Sequence, residues 1–158
     1  MAVARGNSAA SAVVWVGASA RVYNVGLVEN SASGRRAKGV VLFVDDHADT
    51  RELYVHVLEF AGYTTHAAGD GFEAWEKASR FLPDVIVTDV GLPRMDGIEL
   101  CGRLRANDAT AHIPIIALTG FAEATVAERA RALGIVKVLV KPCSPELLLA
   151  EISAACDR

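Results

Sequence analysis

From Gly39 onward the hydrophobic positions settle into a regular rhythm. Val40-Val41-Leu42-Phe43-Val44 is an unbroken apolar run that stops at Asp45-Asp46, as a strand buried on both faces reads. Behind it, Asp49-x-x-Glu52 predicts a variant capping box, with Leu53, Val57 and Phe60 on one helical face until Gly62 ends the helix. The cycle repeats. Strands are expected at Tyr63 to Ala67, Asp84 to Thr88, Pro114 to Leu118 and Ile135 to Val140. Helices are expected at Phe72 to Phe81, Ile98 to Arg105, Glu123 to Leu133 and Pro145 to Ala155. Ser144 before Pro145 makes a capped helix start, with Leu148, Ile152 and Ala155 on one stripe. Strand–helix alternation with short connections implies an α/β fold, a doubly wound parallel sheet of five strands with right-handed crossovers.

Residues 1–38 break this rhythm, being rich in Ala, Ser and Gly, and they read as a flexible extension before a domain over 39–156. Val22 to Val28 is a candidate stray strand. Ala9 to Ala20 imitates a secretory signal, but its apolar part is short and broken by Ser and Gly.

Composition narrows the class. With 52% hydrophobic and 22% charged residues and a mean hydropathy of +0.29, the chain is too apolar for disorder. No apolar run reaches the roughly 20 residues of a membrane span. A net charge of −3 with scattered Lys and Arg argues against direct nucleic-acid binding. Cys101, Cys143 and Cys156 are odd in number and lack C-x-x-C spacing, which points away from disulfides and zinc and toward core packing in a reducing cytoplasm.

Ligands of open parallel sheets bind beyond the carboxyl ends of the strands. Here those ends carry Asp45-Asp46, Asp89, Thr119-Gly120 and Lys141-Pro142. Converging carboxylates repel one another, and a hard divalent cation, Mg²⁺, resolves the conflict. A carboxylate beside that ion can attack a phosphoryl group while the lysine ammonium and threonine hydroxyl neutralise its oxygens, with Gly120 leaving room. A single strand-end aspartate ordinarily caps a turn, but five such positions on four strands form a chemical set.

These residues carry a resemblance to the receiver domains of two-component response regulators, over Val40 to about Ala155. Its motifs are Asp45-Asp46 with Asp49-x-Arg51-Glu52-Leu53, Gly62-Tyr63, Asp89-x-x-Leu92-Pro93-x-Met95-Asp96-Gly97, Pro114 to Thr119, and Lys141-Pro142. Asp46 precedes Asp89 by 43 residues, Asp89 precedes Thr119 by 30, and Thr119 precedes Lys141 by 22, spacings similar to the family's. The resemblance implies strand order 2-1-3-4-5, a flavodoxin-like or CheY-like (βα)5 fold, with Asp89 as phosphoacceptor. It further implies Mg²⁺ on Asp46, Asp89 and the main-chain carbonyl of Gly91, with Asp45 acting largely through water. Thr119 and Lys141 would hold the phosphoryl oxygens, and Lys141-Pro142 would be cis. The phosphodonor would be the phosphohistidine of a sensor histidine kinase or a histidine phosphotransfer protein.

The expected role is a stand-alone cytoplasmic receiver that signals through an unknown downstream protein, without contacting nucleic acid or membrane and without catalysis on any separate substrate. An aspartyl-phosphate hydrolase would need an acid–base aspartate two residues after the nucleophile, where Gly91 stands. A flavodoxin-like nucleotide carrier would need a phosphate loop after the first strand, where Asp45-Asp46 repel phosphate. A constitutive binding module would not need the complete acid pocket. Among other residues, His47 lies beside the acidic pair, where a histidine can tune a metal, but it reads rather as a surface loop histidine, and His56, His66 and His112 share no ligand spacing. Trp75, with Ala74 and Ala78, is expected to pack a helix on the sheet. The family's usual aromatic three residues before the lysine is Val138 here.

Overall fold

The structure is a computed structural model that describes residues 11–16, 19–24, 37–120 and 124–158. Two units are distinguished, 1–36 and 37–158. In the first, β1 (Ser11–Val16) and β2 (Ser19–Asn24) pair antiparallel, with Ser11 opposite Asn24 and Val16 opposite Ser19. Of the expected flexible extension over 1–38, residues 1–10, 17–18 and 25–36 lie outside the described residues, and with them 25–28 of the candidate stray strand.

The second unit alternates β3 (Val40–Val44), α1 (Ala48–Phe60), β4 (Thr64–Ala68), α2 (Gly71–Phe81), β5 (Val85–Asp89) and α3 (Gly97–Arg105). It continues with β6 (Ile115–Thr119), α4 (Ala124–Ala132), β7 (Lys137–Val140) and α5 (Pro145–Cys156). The five strands are parallel in the order β4-β3-β5-β6-β7, which is the expected 2-1-3-4-5. Successive residues of β3 serve opposite faces: Leu42 and Val44 enter the layer shared with α2, α3 and α4, and Val41 and Phe43 enter the one shared with α1 and α5. Burying a side chain such as Phe43 or Ile86 completely contributes about 1.5–3 kcal/mol. Among the described residues, no helix is long and apolar enough to cross a membrane.

Ser144 caps α5 as expected, accepting the Leu147 N–H at 3.2 Å, and Leu148, Ile152 and Ala155 are buried. Gly62 ends α1 at φ +97°, a conformation that glycine adopts without strain. Three local readings need correction. Helix α1 begins before the expected capping box: His47 takes the N-cap position without a side-chain cap bond, and Asp49 lies inside the first turn. Its buried stripe centres on Leu58 and Tyr54, whose ring stacks on Phe43 at 5.0 Å, whereas Phe60 is half-exposed. On α2 the small Ala74 and Ala78 approach the sheet and leave Trp75 at the surface, 39% exposed.

Candidate functional site

The register brings four strand ends to one edge of the sheet. Val44 lies opposite Thr88, Asp89 opposite Leu118, and Thr119 opposite Val140. Asp45 and Asp46 therefore follow β3 at the same edge where Asp89 ends β5, Thr119 ends β6 and Lys141 follows β7. Asp45 is fully buried, and Asp89 and Thr119 nearly so.

The Lys141 Nζ donates to Asp45 Oδ2 at 2.8 Å and to Asp89 Oδ2 at 2.9 Å. The remaining oxygens of these two carboxylates accept main-chain N–H groups: Asp45 Oδ1 from His47 at 2.9 Å, and Asp89 Oδ1 from Gly91 at 3.0 Å. Each buried carboxylate thus meets one cation and one amide, the compensation that a charge removed from water requires. Burial alone would lower the Lys141 pKa, but the hydrogen bonds and charges of Asp45 and Asp89 outweigh it and hold the ammonium above the ordinary lysine value.

The framework around these groups is bonded through the main chain. Arg51 Nη1 donates to the Asp45 carbonyl at 2.8 Å, the Lys141 N–H to the Thr119 carbonyl at 2.7 Å, and the Val90 N–H to the Leu118 carbonyl at 2.8 Å. Lys141–Pro142 is cis. Among the described residues, a side chain at Gly120 would meet nothing within 4 Å, and one at Gly91 would meet only Asp89 Oδ1 at 3.8 Å.

All the residues expected at the strand ends are thus at one edge, and Lys141 links Asp45 to Asp89 directly. From the sequence, His47 beside the acidic pair can be read as a group that tunes the metal, and the surface loop histidine is the favoured reading. Its ring is largely solvent-exposed, yet Nδ1 stands 3.0 Å from Asp46 Oδ1 and 3.4 Å from Asp45 Oδ1. Asp45, Asp46 and His47 each offer a ligand atom within 4.8 Å of the others. Its place directly after the acidic pair is the signal that carries the metal-tuning alternative. His56 instead faces Glu52 one helical turn away, and His66 stacks on Phe81 at 3.9 Å. The carboxylates of Asp45 and Asp46 thus stand together at the edge where Asp89 ends the neighbouring strand, and carboxylate oxygens are donors of the kind Mg²⁺ takes.

Residues 41–153 match the family model described as the response regulator receiver domain. The response regulator MprA of Mycobacterium leprae is 42% identical over 120 residues, covering 75% of this chain and 51% of that protein. The DNA-binding dual master transcriptional regulator RpaA of Synechocystis is 34% identical over 118 residues, covering 75% and 49%. The chain thus spans about half the length of these curated relatives. Among solved structures, the chemotaxis response regulator CheY4 of Vibrio cholerae matches with a TM-score of 0.69 at 36% identity, covering 73% of this chain and 97% of that one.

Proposed function

This chain belongs to the response regulator receiver domain family of two-component signalling, and from that premise we propose that Asp89 accepts a phosphoryl group from a phosphohistidine. The donor is a sensor histidine kinase or a histidine phosphotransfer protein. A carboxylate oxygen of Asp89 forms the new P–O bond as the P–N bond to the donor imidazole breaks, and the imidazole leaves with the electron pair of that bond. The observation that carries this reading is the Lys141 ammonium 2.9 Å from Asp89 Oδ2, at a strand end that Gly91 and Gly120 leave open.

Lys141 holds one positive charge where the transferred oxygens arrive, and the Thr119 hydroxyl is the donor on the neighbouring strand. Asp45, Asp46, Asp89 and the Gly91 carbonyl are the residues that would hold Mg²⁺, which when bound neutralises charge on the phosphoryl oxygens. The chain acts on itself rather than turning over a separate substrate. The receiver unit passes the signal by altered binding to a protein partner rather than by touching nucleic acid, consistent with the whole chain's net charge of −3. Three free thiols among the described residues suit a reducing, cytoplasmic setting.

The test is incubation with acetyl phosphate or a phosphorylated kinase and Mg²⁺. Acid-labile, hydroxylamine-sensitive phosphate is expected on the wild-type chain and none on Asp89→Asn, which keeps the shape but removes the carboxylate nucleophile. Undiminished labelling of that variant overturns the assignment.

A further inference from the structure

The acidic pair carries a neighbour that the oxygen donor set does not use. The His47 main-chain N–H donates to Asp45 Oδ1, which curls the chain back, and the imidazole then lies against both carboxylates. Among the described residues no further contact claims the ring: it stands at the N-cap of α1 yet makes no cap bond, and its outer side faces solvent. Nδ1 is the nitrogen turned inward, 3.0 Å from Asp46 Oδ1 and 3.4 Å from Asp45 Oδ1. Ligands at about 2.1 Å around one octahedral ion stand about 3 Å apart along each edge, so these separations are those of adjacent ligands. The opposite oxygen of Asp45 is held by Lys141, which leaves Oδ1 directed to the side where His47 and Asp46 meet.

We propose that His47 Nδ1 is a protein ligand of the divalent cation at the acidic pair, and that it biases this site toward nitrogen-accepting transition metal ions. The inference rests on the reading above that the pocket holds a divalent cation. An all-oxygen site suits Mg²⁺, whereas one imidazole raises affinity along the series from Mn²⁺ to Ni²⁺ and adds little for Mg²⁺. His47 is then a specificity-determining residue for the ion, while Asp46 remains its anchor.

The experiment uses the full chain without a histidine tag, at one fixed pH above the ordinary imidazole pKa. Mn²⁺ is added and the electron spin-echo envelope recorded for the wild type, His47→Gln and His56→Gln, the last removing the exposed His56–Glu52 pair as a rival chelate. Nitrogen modulation from a bound imidazole is expected in the wild type and in His56→Gln, and is lost in His47→Gln. Calorimetric titration should show the Ni²⁺-to-Mg²⁺ affinity ratio falling at least about tenfold in His47→Gln. The exposed ring makes that variant compatible with the fold, which circular dichroism checks. Wild-type Mn²⁺ without nitrogen modulation, or an unchanged ratio, overturns the role of His47 and leaves the acidic pocket standing if Asp46→Asn still abolishes binding. Mn²⁺ binding that survives Asp46→Asn overturns the pocket reading as well.

Discussion

The carbonyl oxygen of Asp89 lies 2.2 Å from the point where a Cβ on Gly97 would project. The first turn of α3 therefore rests directly on the strand end that carries Asp89, and the Gly97 N–H donates to the Val90 carbonyl at 3.0 Å. The obstructing atoms are backbone, which cannot rotate away. Gly97→Ala is expected to cost about 3 kcal/mol, the upper part of the range for overpacking. Gly102→Ala, in the same helix with nothing within 4 Å of the added carbon, should instead gain about 0.5–1 kcal/mol. Urea unfolding of the two variants checks the contrast, and equal effects would contradict it.

Removing Lys141 leaves Asp45, fully buried, and Asp89 without their shared cation. Breaking a buried pair costs 3–5 kcal/mol, and partial exposure of the lysine reduces this to about 1–3 kcal/mol for Lys141→Met. The pH dependence has a definite sign. Because the folded state raises the Lys141 pKa, its contribution is complete below the unfolded lysine value and is lost as pH rises through the folded one. Wild-type stability should therefore fall on the alkaline side above the ordinary lysine range, and the Met variant should fall less. Parallel alkaline unfolding curves would count against the pairing.

The parts of this unit legible in its sequence are those set by continuous patterns. Val40–Val44 could be read to the residue because a strand buried on both faces has no polar interruption until Asp45. Most of the strand-end set was legible for the same reason: Asp45, Asp89 and Thr119 follow or close strands buried on both faces, whereas Lys141 follows β7, which carries Lys137 and is partly exposed. Helix faces were harder. In α1 the periodic set Leu53, Val57 and Phe60 competed with Tyr54 and Leu58, and the stacking of Tyr54 on Phe43 settled which side turned inward. In α2 the close approach of helix to sheet admits Ala74 and Ala78 but not the volume of Trp75, a choice made by tertiary spacing. The bond from Lys141 to Asp45 spans 96 residues and could be expected only through a resemblance.

At the start of α2, Asp70 accepts the Glu73 N–H at 2.9 Å, Glu73 accepts the Gly69 N–H at 2.7 Å, and Arg94 reaches Asp70 from the β5–α3 loop. The main-chain bond from Glu73 does most to lower the Asp70 pKa, and the one from Gly69 does most for Glu73. Depressed carboxylate pKa values give stability that is present above the unfolded value and lost as pH falls through the folded one. Asp70→Asn keeps a competent cap but removes the titration. The variant should lose less stability than the wild type as pH falls below the ordinary carboxylate range, measured by urea midpoints at successive pH values. An unchanged acid limb would argue against this role.

Thiol reactivity should follow burial. Burial pushes the Cys101 thiol up to about 12, outweighing the opposing charge of Arg105, and it also raises Cys143 and Cys156. Only thiolates react appreciably, so none of the three should be alkylated quickly at neutral pH. Cys156, which is only partly buried, should react first, and Cys101 only when the unit opens. Mass-resolved alkylation with iodoacetamide distinguishes the order, and early labelling of Cys101 would show that α3 leaves the sheet far more often than its packing implies.

Val138 stands where receivers usually carry an aromatic, three residues before Lys141, and it lies opposite Ala117 in the register of β6 and β7. Its side chain is partly buried against the cluster that contains Ala117 and Ala130. Valine is stiff about χ1 and too short to exchange a solvent-facing position for a buried one, so a ligand at Asp89 has no two-state side chain to bias there. Thr119, one strand end away from Asp89, can still respond through its hydroxyl. Phosphorylation should therefore perturb the amides of Thr119 and Gly120 strongly and those of Lys137 to Leu139 weakly. The measurement is a comparison of amide shifts with and without beryllofluoride and Mg²⁺. Changes at Lys137 to Leu139 as large as those at Thr119 would show that β7 is coupled to the site by a route other than an aromatic switch.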